Sequence, residues 1–131
     1  MKYLLDTDTI IYWLKGDRNV SSRALAEGFK NIVVSDITRA ELYYGAYKSK
    51  RVEDNLAAVR TITEHVSFLP FNEPAQVRFG MIKASLEKAG NRLEDLDIMI
   101  ASIALTFNLI LVTNNTVHFD RIPELNLENW I

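Results

Sequence analysis

Four short apolar runs punctuate this chain of 131 residues: Tyr3-Leu4-Leu5, Ile32-Val33-Val34, Val66 to Phe71 (interrupted by Pro70) and Leu109 to Thr113. Between them lie longer stretches whose apolar residues recur every three to four positions. Short runs with no polar alternation read as strands buried on both faces. Strands that alternate with helices form a parallel sheet covered by helices on each side. The pattern therefore predicts an α/β fold in three layers, with a parallel sheet of four or five strands. Leu125-Asn126-Leu127 is the candidate fifth strand. No repeat or linker interrupts the pattern, so residues 1–131 are expected to form a single domain. At 48% hydrophobic content it has enough apolar material for a core.

The intervening helices can be placed from their caps and faces. Thr7 to Leu14 follows the first strand, and Gly16-Asp17-Arg18-Asn19 is a turn. Ser21 or Ser22 is expected to cap a short helix that runs through Ala24, Leu25, Ala26 and Phe29. Ser35 or Asp36 caps a helix carrying Ile37, Ala40, Leu42, Tyr43, Tyr44 and Ala46. The basic turn Lys48-Ser49-Lys50-Arg51 leads to a helix with Leu56, Val59 and Ile62 on one face. Asn72 to Ala89 is helical, with Gly90 as its stop, and Leu93 to Phe107 is the most apolar helix.

Three acids interrupt apolar sequence. Asp6 ends the first strand, Glu41 lies within a mostly apolar helix, and Asp97 directly precedes the run Ile98 to Leu105. A buried carboxylate is costly unless something meets it. Ligands of open α/β sheets bind at the carboxyl ends of the strands, where Asp6 stands. Convergence of the three acids at that edge would make an all-oxygen site suited to Mg²⁺ or Mn²⁺. Such an ion polarises a phosphodiester and acidifies bound water.

Composition narrows the alternatives. The formal net charge of −2 supplies no general attraction for nucleic acid, so a polyanion would need a local basic patch or a bound cation. Without cysteine there is no disulfide, thiolate metal site or cysteine nucleophile. No apolar run reaches membrane-spanning length, and the first residues lack a signal-peptide pattern, so a cytoplasmic protein is expected.

The acids sit in segments that resemble the PIN-domain nucleases. Leu4-Leu5-Asp6-Thr7-Asp8-Thr9 is similar to the opening motif of that family, and Ser35 to Ala46, with Glu41-Leu42 and Gly45, to its second. Leu96-Asp97-Ile98-Met99-Ile100-Ala101-Ser102 resembles the third and Leu111-Val112-Thr113-Asn114-Asn115-Thr116 the fourth. Phe119-Asp120-Arg121-Ile122-Pro123 and the ending Leu127-Glu128-Asn129-Trp130 match the VapC toxin branch. The resemblance implies a Mg²⁺-dependent endoribonuclease of a type II toxin–antitoxin pair, a homodimer held in check by a VapB-like antitoxin. It implies that Asp6 and Asp97 hold the metal and that Glu41 completes the catalytic site. Many PIN domains carry an Asp in the fourth motif where this chain has Asn115, which would orient water or bind metal as a neutral group. Asp8 stands where the branch often has Asn.

Each of these residues also has a structural reading. Asp6 suits a helix N-cap, and Asp8, in the first turn, suits the helix dipole. Glu41 lacks a cation at the favoured helical spacing, and Asp97 competes with Glu94 and Asp95 as a cap. Thr38 and Thr113 are expected either to bond backbone or to support the site from behind. His65 and His118 read as surface or packing residues, because no histidine spacing suggests a metal. Tyr43, Tyr44 and Tyr47 read as core or interface, Trp13 as core, and Trp130 as packed back or facing a partner. Two rival functions stand beside the nuclease. Asp6-Thr7-Asp8 resembles the first motif of haloacid-dehalogenase phosphatases, with Asp6 as nucleophile, but the Lys and late acidic pair of that family are missing. A catalytically silent PIN-like binding module is the other.

Overall fold

A computed structural model describes residues 1–131. In chain order the elements are β1 (Tyr3–Leu5), α1 (Thr7–Leu14), α2 (Arg18–Glu27), β2 (Ile32–Ser35), α3 (Asp36–Lys48) and α4 (Val52–His65). There follow β3 (Ser67–Leu69), α5 (Glu73–Lys88), α6 (Asp95–Thr106), β4 (Ile110–Val112), α7 (Thr116–Phe119) and β5 (Leu127–Glu128). The five strands form one sheet in the order β3-β2-β1-β4-β5, and every neighbouring pair is parallel. No helix is long and apolar enough to cross a membrane.

The layering follows from strand periodicity. Successive side chains of a strand point to opposite faces. Tyr3, Leu5, Ile32, Val34 and Val112 accordingly pack with Ile10, Val20, Leu42 and Val59 from α1 to α4. Leu4, Val33 and Leu111, which lie side by side in register, pack instead with Ala75 and Leu86 of α5 and Ile98, Ala101 and Ile103 of α6. Leu4 is completely buried, so truncating it to alanine should cost about 2–5 kcal/mol. Both edge strands are short, which limits edge-to-edge pairing; Pro70 directly follows β3.

The order in which strands are added reverses at β1, while every strand keeps the same direction. From β1 the chain moves outward to β2 and β3, then crosses back to place β4 on the other side of β1 and moves outward again to β5. The carboxyl ends of β1 and β4 thus flank the topological switch point, the crevice where such sheets bind ligands. Asp6 follows β1 and Thr113 follows β4, and the Asp6 amide donates to the Val112 carbonyl at 3.0 Å. Asp97 reaches the same region from the first turn of α6.

Several local expectations change. Helix α2 begins earlier than its serines suggest, because Asp17 is the cap and accepts from the Val20 amide at 3.0 Å. Ser21 bonds back to the Asp17 carbonyl instead. Helix α6 starts at Asp95, not Leu93, and Asp97 is a first-turn residue rather than a cap. The polar turn after β4 winds into α7, whose Phe119 is buried. Trp130 packs back onto Tyr3 with ring centroids 5.1 Å apart and is buried.

Candidate active site

Asp6 is held by both of its oxygens. Oδ1 accepts from the Thr9 amide at 2.9 Å, the N-cap bond of α1, and Oδ2 accepts from the Thr113 hydroxyl at 2.5 Å. The capping and functional readings of this residue are therefore compatible: the cap aims the carboxylate and leaves lone pairs free on each oxygen. Asp6 is only 4% exposed. Burial pushes its pKa up, while the bonds from Thr113 and Thr9 pull it down and Asp8 adds to the rise.

Glu41 is held by a hydroxyl relay. Thr7 Oγ1 lies 2.6 Å from Glu41 Oε1 and 3.0 Å from Thr38 Oγ1. A threonine hydroxyl has one proton and an ionised carboxylate only accepts, so Thr7 donates to Glu41 and receives from Thr38. Behind it, Ser35 Oγ sits 3.3 Å from Thr38 Oγ1 and caps α3 by accepting from the Thr38 amide at 3.0 Å. Thr38 thus acts through Thr7. The role of Thr7 depends on a contact between α1 and α3 that residue spacing within either helix does not reveal.

Asp97 is disfavoured as a carboxylate by its surroundings. Its pKa is pushed up to about 6, first by burial, then by the charges of Asp6 and Glu41, with Asp8 contributing less. The fold therefore brings the acids of β1, α3 and α6 within electrostatic reach of one another. His118, expected to be a surface or packing residue, is exposed but close enough to Asp97 to oppose that rise. Its approach depends on the unforeseen α7. Asn115 donates its backbone amide to Thr113 Oγ1 at 3.0 Å and its side-chain amide to Asp8 Oδ2 at 3.4 Å. Asp8 and Asn115 thus line the rim beside Asp6, and Thr113 ties that rim to the buried carboxylate.

No lysine or arginine forms an ion pair with Asp6, Asp8, Glu41 or Asp97; the five ion pairs of the chain lie elsewhere. No three acidic or histidine side chains stand at the spacing of a ready-made metal cage. The donor set nonetheless suits a hard divalent cation. Mg²⁺ commonly takes one or two carboxylates and completes its shell with water and substrate phosphate. Such a cation would also relieve the crowding at Asp97.

A family model for the PIN domain matches residues 3–125. Ribonuclease VapC2 of Haemophilus influenzae is 38% identical over 131 residues, covering 100% of this chain and 99% of that protein. The chain belongs to the VapC branch of the PIN-domain family. A second VapC relative, the tRNA(fMet)-specific endonuclease VapC of Salmonella typhimurium, is 35% identical over 130 residues, with 99% of this chain and 98% of the relative covered. Among solved structures, the chain superposes on one from the DNA-bound VapBC complex of Salmonella typhimurium with a TM-score of 0.95. That match is 35% identical and covers 100% of this chain and 99% of the other. The five-stranded parallel sheet flanked by helices agrees with the α/β fold expected of a PIN domain.

Proposed function

We propose that this VapC-branch protein is an endoribonuclease, the toxin of a type II toxin–antitoxin pair, and that Asp6, Glu41 and Asp97 carry its chemistry. The observation that supports this most directly is electrostatic. Burial in the crevice, followed by the charges of Asp6 and Glu41 from separate elements, pushes Asp97 up to about 6, and no lysine or arginine forms an ion pair with these acids. Asp6 and Asp97 would hold Mg²⁺, with Mn²⁺ as a substitute. Bound there, the ion would supply Lewis-acid activation of a phosphodiester and of water.

The protein's own contribution is positioning. Thr113 and the Thr9 amide fix both oxygens of Asp6, so it meets a ligand without first losing rotamer freedom. Thr7 orients Glu41 toward the crevice, where it would accept a proton from attacking water. Asn115, held through Thr113, presents a neutral side chain at the rim beside Asp8. The low charge of the chain agrees with an RNA-binding mode in which cation and local basic groups offset the acids.

We further propose that residues 1–131 act as a single PIN domain, that the protein is a homodimer, and that it works in the cytoplasm. Val77 and Met81, 56% and 68% exposed on α5, support a self-association surface. A VapB-like antitoxin is its partner in this reading, by likeness to the VapBC complexes. The decisive assay is cleavage of total cellular RNA with Mg²⁺ or with EDTA, beside Asp6→Asn. Discrete fragments that require both the metal and Asp6 are expected. Cleavage that survives in Asp6→Asn would refute the site, and turnover of a phosphomonoester without RNA cleavage would favour the phosphatase.

A further inference from the structure

The tyrosines of α3 are not core. Tyr44 and Tyr47 are 65% and 66% exposed, whereas Leu42 and Ala46 of the same helix are buried. Residues three to four apart share a helix face. Glu41, Tyr44, Gly45 and Lys48 therefore form one stripe that starts at the acidic site and runs along α3 toward its C-terminus. The Lys48 ammonium lies 5.5 Å from the centroid of the Tyr44 ring, and neither Lys48 nor Lys50 forms an ion pair.

Gly45 sharpens the point. Glycine weakens a helix interior relative to alanine, yet a β-carbon at Gly45 would meet nothing within 4 Å. The protein's own packing does not require glycine there. Gly45 and Glu41 also border a mostly apolar groove of about 230 Å³ between α1, α3 and α4, and Tyr44 and Lys48 stand outside it on the exposed side of the helix. Open backbone beside an exposed aromatic ring and an unpaired amine is suited to a chain that carries flat bases and phosphates.

We propose that the Glu41–Tyr44–Gly45–Lys48 stripe is the track for single-stranded RNA next to the scissile bond: a base stacks on Tyr44, the strand passes over Gly45, and Lys48 meets a phosphate. Aromatic stacking with interleaved basic groups is the general means of holding single strands. The proposal rests on the ribonuclease reading above and extends it to how substrate is held.

The test uses the full chain with Asp6→Asn added to prevent cleavage, and a fluorescent single-stranded RNA followed by anisotropy. Tyr44→Leu is expected to weaken binding roughly five- to hundred-fold, while Tyr44→Phe, which keeps the ring, binds like the parent. Lys48→Gln is expected to lower the salt slope of binding by about 0.7. In the cleavage-competent background, Tyr44→Leu should raise KM. Equal RNA affinity of Tyr44→Leu and parent overturns the track, and does so without touching the nuclease reading if the parent still cleaves RNA in a metal- and Asp6-dependent way. Normal RNA binding by Tyr44→Leu with loss of the antitoxin complex or of the dimer also overturns it, reassigning the stripe to a protein contact. If the parent neither binds nor cleaves RNA, the underlying function fails and the track with it.

Discussion

Replacing Asp97 with asparagine is expected to end cleavage while making the metal-free protein more stable. The carboxyl rises from 3.8 to about 6 on folding, mainly through burial and then through Asp6 and Glu41. Unscreened, that rise is worth ~3 kcal/mol against the ionised form. Asp97 is half-buried, and solvent screening reduces the figure to about 1–2 kcal/mol. The N-terminus of α6 acts in the opposite sense, favouring a first-turn carboxylate by roughly 0.3–1 kcal/mol. A net gain of about 1 kcal/mol is expected for Asp97→Asn at pH 8, which for a chain of this size is ~3–5 °C in Tm.

The pH dependence gives the prediction its sign. Between the unfolded value of 3.8 and the folded value of about 6, the native state binds more protons than the unfolded state. Stability of the parent therefore falls as pH rises through that window, and the penalty is complete above it. Asparagine does not titrate. Thermal melts in EDTA, followed by circular dichroism, should show the largest gap at pH 8 and a clearly smaller one at pH 5. Added Mg²⁺ should raise the Tm of the parent more than that of the variant, because the ion stabilises the state that holds it. A variant that melts below the parent at pH 8, or a gap indifferent to pH, would refute the crowding of carboxylates around Asp97.

Thr113→Val keeps the shape of a completely buried side chain but removes the donor to Asp6. It should cost about 1–3 kcal/mol in denaturant unfolding and move the acid limb of the cleavage profile to higher pH; an unchanged profile would show that Asp6 does not depend on that bond. Thr7→Val should leave stability nearly intact and lower kcat about ten-fold by freeing Glu41, with Thr7→Ser restoring it. Equal loss in both variants would point to a packing defect rather than to the hydroxyl. Light scattering is expected to give a dimer that Val77→Glu or Met81→Glu dissociates, and a monomeric parent would remove that proposal.

Much of the architecture was legible because it rests on local patterns. The runs at Tyr3–Leu5 and Ile32–Val34 are too short and too apolar to be anything but interior strands, and Asn72 and Gly90 bracket α5 by their own chemistry. Asp6, Glu41 and Asp97 stood out as charges set in apolar sequence, and the order of their motifs pointed to the PIN domain. Elements held mainly by distant contacts were harder to read. Helix α7 comprises only Thr116–Phe119, too few residues to show a period, and its buried Phe119 belongs to the core shared by α5 and α6. The cap of α2 fell within a turn cluster where several residues were chemically suitable.

What the sequence determined by itself was the kind of layers, the run of the strands and the identity of the acids, since these depend on periodicity and on residue type at fixed spacing. What only the tertiary structure decided was which groups meet across elements. Thr113 reaches Asp6 from the far end of the chain, Thr7 joins α1 to Glu41 on α3, and His118 comes within the field of Asp97. The outward face of Tyr44 is likewise a consequence of how α3 lies on the sheet. A hydrogen bond or a charge interaction depends on distance in space, and for residues far apart in the chain that distance is set only when the sheet closes and the helices dock.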